Sequence, residues 1–384
     1  MKSRLNTTSS LLMELVPIQS ATYKTERMQN WVNNYIKNYK SKNKKYDIRT
    51  TKDAYGNIYV TKGKAELYPT MVCHIDTVHE INDSVTAHIT DNKQFIYAID
   101  QSNGQQYGTG GDDKVGIAIT IMLFEYFENF KAVFFLDEES GCTGSSKCNA
   151  SFFDDSTFVL QCDRRGNSDF VNRIGSTKLY SKKFSKLIKK QLKKYNRKEC
   201  TGGITDVGEI ARVNKVMCAN MSCGYYHPHS NSETINIQDV VDTFNLCRDI
   251  LLLTINLGRS EYNNLSDRQE SYMYTGRSYG HYWHNQVRTN PYFNMTKTEE
   301  PTDDKEKPEQ HYLDDEYEQC VISLEDDCPC CSAQELEYDE WTGEVWCYAC
   351  GSYIDTENLN SIQYNGQNQS NKNDDRQGTI AFEC

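Results

Sequence analysis

Nowhere in the 384 residues do 18 uncharged apolar residues run together. No stretch is therefore expected to cross a bilayer as a helix. Positive charge is in deficit as well, with 42 Lys and Arg against 54 Asp and Glu for a net charge of −12. That balance argues against wholesale nucleic-acid binding while leaving room for a local basic patch. The stretch Met1-Lys2-Ser3-Arg4-Leu5 is followed by polar residues and has no apolar core of signal length, so a cytoplasmic protein is expected. A paired cysteine framework is also missing. The 15 cysteines are odd in number and scattered, a usage that suits free thiols plus a metal site better than a disulfide scaffold. Length is not scarce, and 384 residues can support one large core and more than one domain.

Apolar periodicity orders the chain. Leu11, Leu12, Leu15, Trp31, Val32, Tyr35 and Ile36 recur at helical spacing around a break at Pro17, which predicts two helices joined near Ile18-Gln19-Ser20. Residues 46–49 and 58–60 alternate as paired strands about the turn Asp53-Ala54-Tyr55-Gly56-Asn57, and 82–100 reads as a hairpin. Short apolar runs at 70–73, 133–136 and 157–162 read as buried strands, and 213–221 as a further one. Helices are predicted over 114–130, 182–198 and 237–255. The second of these sets Phe184, Leu187, Ile188 and Leu192 against a lysine-rich face that reads as solvated surface. Strands alternating with helices imply an α/β three-layer sandwich with a mainly parallel central sheet. Composition divides the chain into a catalytic domain (1–257), a polar linker (258–320), a small cysteine-bearing module (321–356) and an Asn/Gln/Asp-rich tail (357–384) expected to be disordered.

The chemistry concentrates on Phe134-Phe135-Leu136-Asp137-Glu138-Glu139-Ser140-Gly141, where a buried strand ends in three acids and a glycine turn. Adjacent glutamates there point different ways, so one can bind a metal while the other faces water or substrate. An acidic surface turn would carry the same residues. Four other stretches decide between the two readings. They hold His74 with Asp76, Asp112 in Gly110-Gly111-Asp112-Asp113, Asp163, and His229 in His227-Pro228-His229-Ser230. Any one of them is an ordinary turn residue; five such stretches together are not. Two histidines, two carboxylates and one bridging Asp would give each of two divalent ions a His and a carboxylate. Such N/O donors suit Zn²⁺, with Co²⁺ or Mn²⁺ as substitutes.

These stretches resemble the co-catalytic dinuclear zinc exopeptidases that include peptidase T and its dipeptidase and aminopeptidase relatives. The likeness runs from about Leu11 to Ile255. It is carried most specifically by His74-Ile75-Asp76-Thr77-Val78, Gly111-Asp112-Asp113-Lys114-Val115-Gly116 and Asp137-Glu138-Glu139-Ser140-Gly141. The resemblance implies that His74 binds one zinc with Asp163, and His229 the other with Glu139. It implies that Asp112 bridges both ions, held by an unusual peptide bond to Asp113. Glu138 would be the general base, and Asp76 would orient His74 through its other ring nitrogen. Asp206, in Gly202-Gly203-Ile204-Thr205-Asp206, and His227 are expected to contact substrate.

Three departures from peptidase T stand out. Between Asp163 and His229 there are 229 − 163 = 66 positions, too few for the lid or dimerisation domain of about 100 residues. The Gly202–Asp206 stretch has one residue more than the usual Gly-Gly-Thr-Asp. His227 competes with His229 as ligand, and His229 is preferred because Glu233 follows it at the family's interval.

Near the end, Cys328-Pro329-Cys330-Cys331 and Cys347-Tyr348-Ala349-Cys350 flank a hairpin-like segment around Thr342-Gly343. The spacing is that of a zinc ribbon with Cys328, Cys331, Cys347 and Cys350 as ligands of one structural zinc. Its acidic flanks (Glu325, Asp326, Asp327, Glu335, Glu337) disfavour a phosphate-binding face, so a protein partner or a covering role is expected of it. Taken together, the chain is expected to be a dinuclear zinc metallopeptidase acting on short peptides, as an aminopeptidase or a di/tripeptidase. An N-acyl amino acid amidohydrolase would use the same metal site, and a non-catalytic adaptor working through the ribbon is the reading from another class.

Overall fold

The computed structural model describes residues 2–175, 177–258, 336–339, 344–347 and 353–354. The chain divides into two compact units, Met1–Phe293 and Asn294–Cys384.

In the first unit, helix α1 (Lys2–Leu15) stops just before Pro17, and α2 (Glu26–Lys42) buries Met28, Val32 and Ile36 along one face. Strands β1 (Ile48–Lys52) and β2 (Ile58–Lys62) form the hairpin expected around Asp53–Asn57. Asp53 closes that turn by accepting the amides of Tyr55, Gly56 and Asn57. Strand β3 (Tyr68–His74) is buried at every position. Strands β4 (Val85–Ile89), β5 (Phe95–Asp100) and β6 (Gln105–Tyr107) follow as antiparallel neighbours.

Helix α3 (Gly111–Tyr126) gives way to extended backbone at Phe127, and β7 starts at Phe130 (Phe130–Phe135). The helix is thus shorter than the 114–130 run its apolar pattern predicts, because Phe127 and Phe130 belong to the core on both sides of a chain reversal. The next elements are α4 (Thr143–Ser146), β8 (Ser156–Gln161), β9 (Asp169–Ile174) and β10 (Thr177–Lys178). Helix α5 (Lys182–Lys194) buries Phe184, Ile188 and Leu192 and leaves its lysines outside. It ends before 198 because Asn196 turns left-handed (φ 53°) and β11 (Lys198–Gly202) begins. Helix α6 (Asp206–Val213) occupies sequence that reads as loop and strand, and only Cys218–Met221 forms the strand β12. Strands β13 (Tyr225–Tyr226) and β14 (Thr234–Asn236) precede α7 (Ile237–Leu257), whose first turn is capped by the Asn236 side chain.

The main sheet runs β1-β2-β7-β3-β8-β12-β9-β10, with β11 beside β9. Its centre (β7, β3, β8 and β12) is parallel. The flanks are antiparallel where β2 meets β7, β9 meets β12 and β10 meets β9. A mainly parallel sheet is therefore replaced by a mixed one: short connections reverse the chain at β1–β2 and β9–β10, and β2 and β9 join the parallel centre antiparallel across long stretches of sequence. Full burial of β3 and β7 means that both faces of the centre are covered. Helices α1, α3 and α7 pack on one another, α3 and α7 also on the sheet, and α6 packs on the sheet and against α4. A smaller sheet, β13-β14-β5-β4 with β6, stands apart. The eight cysteines described in the first unit are all free.

In the second unit, β15 (Leu336–Asp339), β16 (Glu344–Cys347) and β17 (Tyr353–Ile354) form an antiparallel sheet. The first two pair antiparallel, as the hairpin predicted there requires, while Thr342 and Gly343 lie outside the described residues. Cys328, Cys331 and Cys350 lie outside the described residues, and Cys347 is described only as the strand position opposite Leu336. The expected linker beyond Gly258 and the tail 357–384 also lie outside them.

Candidate active site

Parallel strands finish on one edge of the sheet, and loops beyond their carboxyl ends converge there. His74 is the last residue of β3, paired with Phe135 at the end of β7, and Asp163 follows β8 by two residues. Asp112 enters from the start of α3. There Gly110 is left-handed (φ 62°), and a Cβ on Gly111 would lie 2.8 Å from the Tyr225 Cβ, so this close approach requires glycine. The Asp112–Asp113 peptide bond is cis.

The side chains meet in two sets that share Asp112. Its Oδ1 lies 3.1 Å from His74 Nε2, and Asp163 Oδ1 lies 3.6 Å from the same nitrogen. Its Oδ2 lies 3.4 Å from His229 Nε2, and Glu139 Oε2 lies 3.2 Å from that nitrogen. Bonds of about 2.0–2.1 Å to a tetrahedral zinc hold two ligand atoms roughly 3.3–3.4 Å apart, and the four spacings straddle that value. Among the described residues, His74, Asp112 and Glu139 offer three ligand atoms within 4.8 Å of one another. Glu139 Oε1 is buried without a hydrogen-bond partner, which is costly for a carboxylate unless a cation completes it. Donor type, spacing and the orphaned oxygen all fit divalent cations.

Electrostatics agree with this packing of like charges. Burial, and then the charge of Asp112, push Glu139 up to about 7 and Asp163 up to about 6. Burial also opposes ionisation of Asp112, but hydrogen bonds from His229 and His74 outweigh it and hold this carboxyl well below the usual range. Burial works against a charged His229, yet its bonds to Asp112 and Glu139 raise it to about 11. Two histidines here stand in for positive charge that three carboxylates require.

A second layer fixes these groups. His74 Nδ1 lies 3.0 Å from the Asp76 carbonyl oxygen and 3.5 Å from its Oδ1. The Asp76 carboxylate does more: it accepts the Glu138 amide at 2.9 Å, the Glu139 amide at 3.3 Å and the Thr22 hydroxyl at 3.0 Å. Asp163 keeps Oδ2 engaged with Thr205 Oγ1 (2.8 Å) and Gln161 Nε2 (3.0 Å), while Asn220 brackets its backbone. Glu233 is fully buried and accepts the amides of Gly110 (2.6 Å) and Asp112 (3.1 Å), with His79 Nε2 at 3.2 Å. The Glu138 carboxylate lies beside the two sets, buried enough to be pushed well above its ordinary value, and Cys142 Sγ donates to its Oε1 at 3.3 Å.

Two expected substrate contacts sit differently. Asp206 is wholly buried at the start of α6 and accepts from Gln161 Nε2 at 3.1 Å, a position that braces the Asp163 side and presents nothing to solvent. His227 is exposed, and His229 is the histidine that faces Asp112 and Glu139. Thr22, His79, Gln161, Thr205 and Asn220 escape sequence reasoning because their partners lie 42 to 154 positions away or, for Gln161, within an apolar strand.

The described architecture, a mixed sheet between helices, is similar in fold to solved aminopeptidases. It is similar to aminopeptidase PepT from Bacillus cereus (TM-score 0.53, 13% identity, covering 65% of this chain and 99% of that one). It is also similar to a tripeptidase from Staphylococcus aureus (TM-score 0.52, 12% identity, 65% and 98%). At such identity the likeness is one of fold. No protein-family model and no curated protein sequence matches the chain.

Proposed function

We propose that the chain is a dinuclear metallopeptidase of the exopeptidase type, hydrolysing short peptides. The observation that carries this reading is Asp112, whose two oxygens face two different histidines, each accompanied by its own carboxylate. His74 and Asp163 would hold one divalent cation, His229 and Glu139 the other, and Asp112 both. Bound cations of this kind polarise an amide carbonyl and bring the pKa of water toward neutrality. Glu138 takes the proton of the attacking water and returns it to the leaving amine, the task of a buried carboxylate with a raised pKa. Asp76 keeps His74 and the Glu138 backbone in register through the bonds described above.

The proposal extends to a compact, lid-less catalytic domain. The span from Asp163 to His229 is taken up by β9, β10, α5, β11, α6 and β12 of the sandwich and β13 of the smaller sheet. It also reads Cys328, Cys331, Cys347 and Cys350 as the ligands of a structural zinc, on their spacing and on the β15–β16 hairpin between the two pairs. The deciding experiment is a substrate panel of zinc-loaded protein against free-amino di- and tripeptides, amino-acyl chromogenic amides and N-acyl amino acids. Cleavage of the free-amino substrates is expected. Cleavage of N-acyl amino acids alone would redirect the reading to an amidohydrolase, and an inert protein with full metal content would end it.

A further inference from the structure

The turn that presents Glu138 contains a cysteine that the reaction outlined above does not use. Asp137 (φ 56°), Gly141 (φ 84°) and Cys142 (φ 56°) are all left-handed within six residues. Two of these are not glycine, so the turn holds a backbone conformation that other residues seldom adopt. The turn is closed by the amide of Cys142 on the Glu138 carbonyl (2.7 Å), Thr143 on Asp137 (3.1 Å) and Gly144 on Leu136 (3.0 Å). Its left-handed backbone brings Cys142 Sγ to 3.3 Å from Glu138 Oε1. Cys142 is 1% exposed.

We infer that Cys142 is a positioning residue, whose thiol donates to one oxygen of Glu138 and so orients the other toward the water it must deprotonate. The inference rests on the reading of Glu138 as base. Burial, followed by the nearby charge of Glu138, pushes this thiol far above its ordinary range, so it remains a protonated donor and is no nucleophile. A thiol is a weak donor. It restrains the carboxylate without withdrawing much of its basicity, a balance that a stronger hydroxyl or amide donor would shift.

Two variants separate orientation from architecture. Cys142→Gly suits the positive φ and removes the donor, so the turn should fold as well as before, with Tm unchanged or raised. Cys142→Ser keeps a donor. With zinc content and Tm at wild-type values, the glycine variant is expected to lose about 5–10-fold in kcat at constant KM, the worth of one net hydrogen bond, and the serine variant to recover part of that loss. A readout independent of turnover is the infrared S–H stretch of Cys142, isolated as the wild-type minus Cys142→Ser difference. It should lie at lower frequency than a free thiol and move upward in Glu138→Gln. An unmoved band, or a glycine variant as active as wild type, overturns the role of Cys142 alone. Wild-type protein inert on the whole panel overturns the role of Glu138, and this inference with it.

Discussion

Asp76 holds Glu138 and Glu139 by their backbones. One carboxylate oxygen accepts the Glu138 amide at 2.9 Å and the other the Glu139 amide at 3.3 Å, while the carbonyl of the same residue lies 3.0 Å from His74 Nδ1. One buried residue, through its side chain and its carbonyl, thus couples the end of β3 to the turn after β7, and His74 to the backbones of Glu138 and Glu139. Replacing Asp76 by Ala should therefore impair activity by about 10–100-fold. Because two amides lose their acceptor, the loss should appear in kcat and in Tm together. Steady-state kinetics with thermal unfolding checks this, and an effect confined to KM would speak against the coupling.

Glu138→Gln keeps the shape of the side chain and removes its ability to take a proton. Turnover is expected to fall by about 10²–10⁴-fold with metal content unchanged. Parallel assays of hydrolysis and zinc content test the separation of base from ligand, and retained turnover would remove Glu138 from the mechanism.

Two buried lysines contribute a pH dependence of stability. Lys62 is fully buried, donating to the Phe124 carbonyl at 2.7 Å and to the Tyr39 hydroxyl at 3.0 Å, and Lys114 donates to the carbonyls of Val16 and Thr109. Burial lowers both ammonium groups to about 8. Between that value and the unfolded value of about 10.4, the unfolded chain holds protons that the folded chain has released. Each lysine therefore contributes stability that grows with pH from about 8 to 10, by at most about 1.4 kcal/mol per pH unit. The thiols of Cys73, Cys142, Cys148, Cys162, Cys200 and Cys223, all pushed up by burial, contribute in the opposite sense over the same window, so the lysine contribution is read as a difference. Urea unfolding of the wild type and of Lys62→Met should show a wild-type-minus-variant stability that rises across that window. A difference that stays flat or falls would contradict the burial argument.

What the sequence made legible were the places where chemistry and strand ends coincide. His74, Asp112, Glu139, Asp163 and His229 are each announced by a buried run or a glycine turn, and the fold brings them within 3.1–3.6 Å of a neighbour in the set. Helix α6 was hidden because it is eight residues long and follows Gly202-Gly203. Val207, Ile210 and Ala211 carry its buried stripe, a signal too short to outweigh those glycines. The antiparallel flanks were hidden because local alternation does not encode which strand becomes a neighbour. The residues that brace the site were hidden for the same reason, since Thr22 reaches Asp76 and Thr205 reaches Asp163 across folded distance only. Asp206 shows the converse, a polar residue in a glycine-rich motif whose inward turn the sequence does not announce.

The sharing of Asp112 between two histidines is the centre of the account, and metal stoichiometry tests it most directly. Elemental analysis of the zinc-reconstituted full chain should give about three zincs per chain, two on the histidine–carboxylate sets and one on the cysteines. Asp112→Ala should bring that to about one, because one residue serves both ions. A wild-type value near one, or an Asp112→Ala protein that still holds about three, would contradict it.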